Sequence, residues 1–419
     1  MNRRLPPGWT LGILTGLNLF NYFDRYVLSA VLPSVQRDLA ISDGDAGRLA
    51  TAFMIGYFLT SPVFGYLGDR TSRKWLIAAG IFVWSLGTVL TGFASTFAVL
   101  VGFRIMVGVG EASYATISPS YISDTYGPAQ RNNALTVFYV AIPVGAALGV
   151  FVGSLIAAAW GWRHAFIVAG APGLLLALSL LPFREPERGA ADGAAQVEKP
   201  RLADMTRLLR RPAYLLVVGG YVAYTFALGA FGHWGPTFLH REHAMPEQAA
   251  GQFFGVVLAI AGLVGTFAGG FAATAWRRRN RAAYAWVSAL SVFVAVPVAF
   301  GAFLVPSRGG SMACLGTAMF LLFLSTGPVN TLIIETVPVN LRASAMALSI
   351  FMIHAFGDIW SPEIVGRLSD HLGSLRRATL ILPAALTIGG ALWLTLALRQ
   401  QRTEVADASG GGDEATRGG

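Results

Sequence analysis

Two otherwise apolar stretches of the chain carry ionisable residues at their centres: Asp24 and Arg25 in one, Arg104 and Glu111 in the other. A charge at the middle of a membrane helix costs about 2.5–3.5 kcal/mol on insertion scales, so such residues face a cavity or one another. At the helical rise, Asp24 and Arg25 sit about 13 Å below the outer end of their run, Arg104 about 8 Å and Glu111 about 18 Å below the same surface. Arg104, Gly108 and Glu111 are spaced i, i+4, i+7 and share one helix face. The four form a ladder whose neighbouring rungs can pair if the two helices are adjacent. Such a ladder supports a polar pathway in which Arg25 and Arg104 attract an anionic head group while Glu111 or Asp24 handles a proton. The same residues also fit an ion-pair network that only locks its part of the fold.

Further along, His354 and Asp358 are spaced i, i+4 and can hydrogen-bond, which suits a proton relay or a structural pair equally. Tyr221, Tyr224, His233 and Trp234 share one apolar run, as cavity aromatics gripping an apolar tail or as ordinary core. No cluster has metal-ligand spacing, and neither a phosphate loop nor a dinucleotide fingerprint occurs, so no metal, cofactor or ATP-driven step is expected.

The elements that must position these residues follow from composition. Of 419 residues, 54% are hydrophobic and 13% charged, and the mean hydropathy is +0.57. A soluble domain carries about 25% charged residues, so this chain has too few to coat soluble surfaces. The net charge of +9 comes almost entirely from Arg in short loops rather than from one stripe, which argues against nucleic acid. A span needs about 20 apolar residues, and twelve such windows occur: 10–33, 48–68, 75–95, 99–123, 133–157, 164–182, 212–239, 249–275, 282–305, 312–336, 343–366 and 378–398. Most of the 31 Lys and Arg fall in alternate loops that put both termini in the cytoplasm. Asn18, Asn21, Asp24 and Arg25 interrupt the first run, which reads as an uncleaved helix and not a signal peptide. The expected organisation is an N-terminal six-helix bundle (1–183), a cytoplasmic linker (184–211), a C-terminal six-helix bundle (212–400) and a disordered tail (401–419).

Duplication supports the two halves. Asp124-Thr125, Arg131 and Ala134 reappear as Glu335-Thr336, Arg342 and Ala345, with the same acid-to-Arg spacing. A weaker echo links the segment from Gly65 to Lys74 with the segment from Gly270 to Arg279. Related six-helix halves place a substrate site at the repeat interface. Gly145, Gly149 and Gly153, and Gly265 with Gly269, fit close small-residue helix contacts.

The segment Gly65-Tyr66-Leu67-Gly68-Asp69-Arg70-Thr71-Ser72-Arg73-Lys74 resembles the signature of the major facilitator superfamily. That resemblance implies an all-α fold of twelve transmembrane helices in two pseudo-symmetric bundles, with Asp69 and Arg73 helping to close a cytoplasmic gate. Ser72 departs from the usual Gly, and Thr274 stands where a repeat of Asp69 would be. Asn21-Tyr22-Phe23-Asp24-Arg25-Tyr26, the run from Arg104 to Tyr114, Phe138-Tyr139 and Ala141-Ile142-Pro143-Val144-Gly145 resemble the spinster-like branch more closely. This implies a secondary transporter, not an enzyme, moving a lysophospholipid or sphingosine 1-phosphate, often with a proton gradient as the driving force. A monomer in a cell inner membrane, with membrane lipid and a small amphipathic substrate as partners, is expected. A drug or organic-anion exporter and a non-transporting lipid receptor are the alternative readings.

Overall fold

The computed structural model describes residues 6–177, 185–186, 207–337 and 341–415; the side chains at 69, 128–129, 131–133, 136, 342–344 and 403–415 lie outside that description. Every regular element among the described residues is helical. The first six are α1 (Pro7–Leu39), α2 (Asp43–Arg70), α3 (Arg73–Thr91), α4 (Phe97–Thr125), α5 (Pro128–Trp160) and α6 (Trp162–Leu176). Then come α7 (Pro212–Glu242), α8 (Glu247–Arg277), α9 (Ala283–Leu304), α10 (Arg308–Phe323), α11 (Thr326–Glu335) and α12 (Arg342–Ile353). After a π-turn at His354–Asp358 the chain ends in α13 (Ser361–Leu372), α14 (Leu375–Thr379) and α15 (Ile381–Ala415).

Nine spans among the described residues are long and apolar enough to cross a membrane. The first expected window is not one of them because Asn18, Asn21, Asp24 and Arg25 dilute α1, and α6 is described over only 15 residues. Two expected spans are broken. The tenth divides into α10 and α11 just before Pro328, which has no N–H to return to the carbonyl of Leu324. The eleventh is interrupted by the π-turn, where the Ile359 N–H donates back to the His354 carbonyl at 3.3 Å, just ahead of Pro362. The linker expected at 184–211 falls mostly outside the described residues. α15 is described through Ala415, into the tail expected from 401.

The chain clusters into two compact units. The first is Met1–Val197 with Gly232–Ala259 and Pro362–Ala378; the second is Glu198–Phe231, Ile260–Ser361 and Thr379–Gly419. The parts of α7, α8 and α13 in the first unit also carry polar side chains bonded to α1 and α2, as at Glu247 with Ser34 and Arg37.

Within the first unit, glycines set the helix spacing. Gly145 and Gly149 of α5 lie on the backbone of α1 at Leu19 and Phe23, and Gly153 faces Val27. Gly108 of α4 lies on the Phe53 carbonyl of α2, while Gly110 packs on Trp84 of α3. The Tyr114 hydroxyl donates to the Leu14 carbonyl, and the Asn18 amide donates to the Phe138 carbonyl at 3.0 Å, so α1 is tied to both α4 and α5. A valine at Gly108 would put a Cβ 2.9 Å from the Tyr57 amide nitrogen. Gly108→Val should therefore cost about 1–3 kcal/mol by forcing α2 and α4 apart, read as a lower melting temperature in detergent; an unchanged melt would remove this contact as a determinant of packing.

In the second unit, Gly265 of α8 packs on Phe320 and Phe323 of α10, and Gly269 sits on the backbone of Leu324, where the tenth span breaks. The Trp393 indole donates to the Val217 carbonyl at 3.0 Å, and Tyr214 donates to the Ala345 carbonyl at 2.9 Å.

Candidate functional site

The close approaches of α1, α2, α3 and α4 bring all four ladder residues together. Arg25 donates to Glu111 Oε2 from Nη2 at 2.6 Å and from Nε at 3.1 Å. Glu111 is fully buried, Asp24 and Arg104 are 1% and 3% exposed, and Arg25 retains 19% side-chain exposure. Arg25 is thus the one rung open to an incoming ligand. Both bonds from Arg25 land on one carboxylate oxygen. Glu111 Oε1, Asp24 Oδ1 and Arg104 Nε are buried without a hydrogen-bond partner. Arg104 lies close enough to Asp24, Arg25 and Glu111 to feel all three charges, but forms no ion pair with either acid.

The observed pair joins two neighbouring rungs of the ladder, Arg25 and Glu111. An aromatic collar missed at the sequence level surrounds the cations. The Arg25 guanidinium carbon is 4.8 Å from the ring centres of Tyr22 and Phe53 and 5.4 Å from that of Tyr57. Arg104 stands 5.0 Å from the same Phe53 ring. Each contact contributes about 0.5–2 kcal/mol depending on desolvation. Phe53 and Tyr57 are spaced i, i+4 on α2, a spacing that ordinary packing also produces, so nothing in the sequence marks them.

His233 of α7 is buried, 5.1 Å edge-on to Trp234, with Nε2 unpartnered, and lies near Arg104 and Asp43. Trp234 is an anchor: its indole donates to the Pro362 carbonyl at 2.9 Å. Tyr224 is also spent on packing, donating to the Leu322 carbonyl at 3.0 Å, with Tyr221 6.0 Å away. In the second unit His354 Nδ1 is 2.9 and 3.0 Å from the Asp358 oxygens, both side chains part-exposed across the π-turn. Gly229 of α7 packs against Asp358 Cβ, which fixes that turn on α7.

At the Arg73 end of α3, the fork of Arg73 is fully used. It pairs with Asp124, donates from Nε to Glu185 at 2.8 Å, and donates from Nη2 to the Pro186 carbonyl at 2.8 Å. The Ser72 hydroxyl also donates to Glu185 at 2.8 Å. The Asp69 side chain lies outside the described residues. In the second unit Arg277 faces Glu335, the repeat counterpart of Asp124, at 3.4 Å; Arg277 stands one position before Arg278, which aligns with Arg73. Burial pushes the Glu185 carboxyl up, but bonds from Arg73 and Ser72 outweigh it and hold the carboxyl below its usual range. A depressed carboxylate contributes stability in full above its unfolded value of about 4.3, and loses it as pH falls through the lower folded value. Glu185→Gln should flatten the acid limb of the melting temperature plotted against pH; an unaltered limb would refute the clamp.

The helices thus close on a buried, charge-balanced set of two acids and two guanidiniums. Residues 14–362 match the Major Facilitator Superfamily, and the chain is a multi-pass membrane transporter of that fold. Within the superfamily it belongs to the spinster-like family. It is 33% identical over 419 residues to a sphingosine-1-phosphate transporter of Danio rerio, covering 92% of this chain and 83% of that one. It is 35% identical over 374 residues to Protein spinster of Drosophila melanogaster, covering 86% of this chain but only 62% of the fly protein, so it spans under two thirds of that relative's length. Among solved structures, a bacterial homolog to the human lysosomal transporter spinster, inward-facing and unoccupied, superposes with a TM-score of 0.87 at 23% identity, over 96% of this chain and 99% of that one. The D-xylose-proton symporter superposes with a TM-score of 0.70 at 18% identity, over 93% and 95% of the two chains. Both likenesses are of fold.

Proposed function

We propose that this transporter carries an amphipathic anion, a lysophospholipid or sphingosine 1-phosphate, by proton-coupled alternating access in a cell inner membrane, with both termini cytoplasmic. The observation that carries the reading is the Arg25–Glu111 pair, with Glu111 Oε1 left bare. With both acids ionised, the two guanidiniums are neutralised within the cluster and have little left to offer an anion. One proton on Glu111 leaves the cluster with an excess positive charge and releases Arg25, the rung with solvent exposure. Proton and anion then bind with mutual reinforcement, the thermodynamic form that coupling takes. Arg is suited to a phosphate through its forked donors, and the Tyr22, Phe53 and Tyr57 rings hold it in place.

In this scheme Asp24 shares the proton with Glu111, and Arg104 holds the local field. Arg73 and Asp69 serve the cytoplasmic gate, with Glu185 as a resting counter-ion for Arg73. His354 and Asp358 form a second polar pair available to the proton. The zebrafish relative's substrate supports the choice of a phosphate-bearing lipid.

The test is uptake by purified protein in vesicles under an imposed pH gradient, comparing a lysophosphatidate and sphingosine 1-phosphate with uncharged analogues. The expected result is uptake of the phosphate-bearing lipids that collapses with an uncoupler. Uptake of hydrophobic drugs instead would make the protein an exporter of that class, and binding without movement would make it a receptor.

A further inference from the structure

At the opposite end of α2 from Arg73, one carboxylate collects donors from three separate helices. Asp43 accepts from Arg241 Nη1 of α7 at 2.7 and 2.9 Å, from the Ser369 hydroxyl of α13 at 2.6 Å, and from Gln36 Nε2 of α1 at 2.8 Å. Arg241 Nη2 donates to Gln36 Oε1 at 2.6 Å, which closes the triangle. A second carboxylate, Asp370 of α13, accepts the Asp43 N–H at 2.9 Å and the Gly44 N–H at 2.7 Å. Those are orphan donors of the first turn of α2, so a foreign helix caps this one where its dipole favours an anion. Charge-assisted bonds of this kind contribute roughly twice a neutral one.

The backbones also touch. A Cβ on Gly47 would meet Glu363 Cα at 2.5 Å, and one on Gly366 would meet the Asp43 carbonyl carbon at 2.6 Å. No side chain fits between α2 and α13 at either point. A cleft of about 660 Å³ beside them, lined by Ser42, Asp43, Arg241 and Asp370, admits water to the network. The bonds join residues about two and three hundred positions apart, from α2 on one side and α7 and α13 on the other.

We infer that Asp43 is the gating residue of the transport cycle at this mouth, with Asp370 as its partner latch. The inference rests on the alternating-access reading above. A carrier that rocks must separate α2 from α13 to open here, and the step consists of Asp43 giving up Arg241 and Ser369 while Asp370 leaves the α2 terminus. Water entering from the cleft then solvates both carboxylates. Gly47 and Gly366 let the mouth close to backbone contact, and the two acids hold it shut.

The test uses the full chain with Cys314→Ser and a single cysteine at Ala46, which is fully buried one turn inside the latch. A membrane-impermeant maleimide is applied to right-side-out and inverted vesicles, with Leu372→Cys, 38% exposed, marking which face bears this mouth. Ala46→Cys should react slowly with the latch intact. With Asp43→Asn or Asp370→Asn it should react at least tenfold faster, from the face that labels Leu372→Cys; Ser369→Ala should give a smaller increase. Unchanged labelling in both carboxylate variants overturns the inference. So does equal acceleration at Ala285→Cys, fully buried in the second unit, since that signals general loosening. The Leu372→Cys face reports membrane orientation independently, so an error in the assigned topology is separable from a failure of the latch.

Discussion

Replacing Glu111 with Gln should cut uptake driven by a pH gradient about a hundredfold, equivalent to about 2.7 kcal/mol, while substrate exchange in the absence of a gradient persists within about threefold. Gln keeps the size of the side chain and still accepts from Arg25, so the α1–α4 contact survives. It cannot ionise, so it cannot recapture Arg25 with a full charge at the end of a cycle. Arg25 then stays permanently available to an anion, which preserves binding and exchange and removes the dependence on protons. A rise in apparent affinity for the anion at high pH should accompany the loss, because in the unaltered protein Glu111 competes there for Arg25. The measurement is a paired assay of driven uptake and counterflow in the same vesicles. Undiminished driven uptake would take the coupling role away from Glu111. The equivalent change at Asp24, which has no ion-pair partner among the described residues, should slow turnover without abolishing driven uptake.

The fold was legible because lipid imposes a coarse code. Windows of about 20 apolar residues and Arg-rich alternate loops are required by the solvent, whatever the cargo. The glycine stripe on α5 was legible for the same reason, since only small residues allow backbones to meet. The four ladder residues announced themselves because charge in an apolar run is costly. Their partners did not. The 86-residue separation between Arg25 and Glu111 leaves no local trace of which acid takes the guanidinium. Phe53 and Tyr57 look like packing residues until the geometry places cations over them. Trp234 and Tyr224 illustrate the reverse case: aromatic residues in an apolar run, whose polar atoms prove to be used on backbone carbonyls. The latch at Asp43 was invisible, because Asp43 and Asp370 sit in short loops and helix ends where acids are commonplace.

The repeat is informative through its asymmetry. Asp124 and Glu335 occupy corresponding places, and each pairs with an Arg of the echoed loop, Arg73 and Arg277, which lie one position apart in the repeat register. Arg73 is buried and carries the Glu185–Pro186 segment, whereas the Arg277–Glu335 pair is a third exposed and at the limit of contact. A surface pair of that kind contributes about 0–1 kcal/mol. Of the two pairs, the Arg73 pair is the one seen to hold a further described segment, Glu185–Pro186.

Removing the guanidinium itself should separate charge recognition from packing. Arg25→Ala should weaken binding of a lysophosphatidate about 10–100-fold, or about 1.4–2.7 kcal/mol, and that of an uncharged analogue with the same chain less than about threefold. Equal losses for both ligands would remove the head-group assignment. Arg25→Lys should recover little, because an ammonium lacks the fork for a phosphate and stacks less well within three rings. Arg25→Ala alone also strands Glu111, and breaking a buried pair by deleting one partner costs about 3–5 kcal/mol. The protein escapes part of that by keeping Glu111 protonated, so the single variant should melt lower at alkaline than at acid pH. Adding Glu111→Gln to Arg25→Ala removes the stranded charge and should restore part of the melting temperature without restoring phosphate selectivity. That division, stability returning while recognition does not, distinguishes an Arg that binds cargo from one that only completes an ion pair.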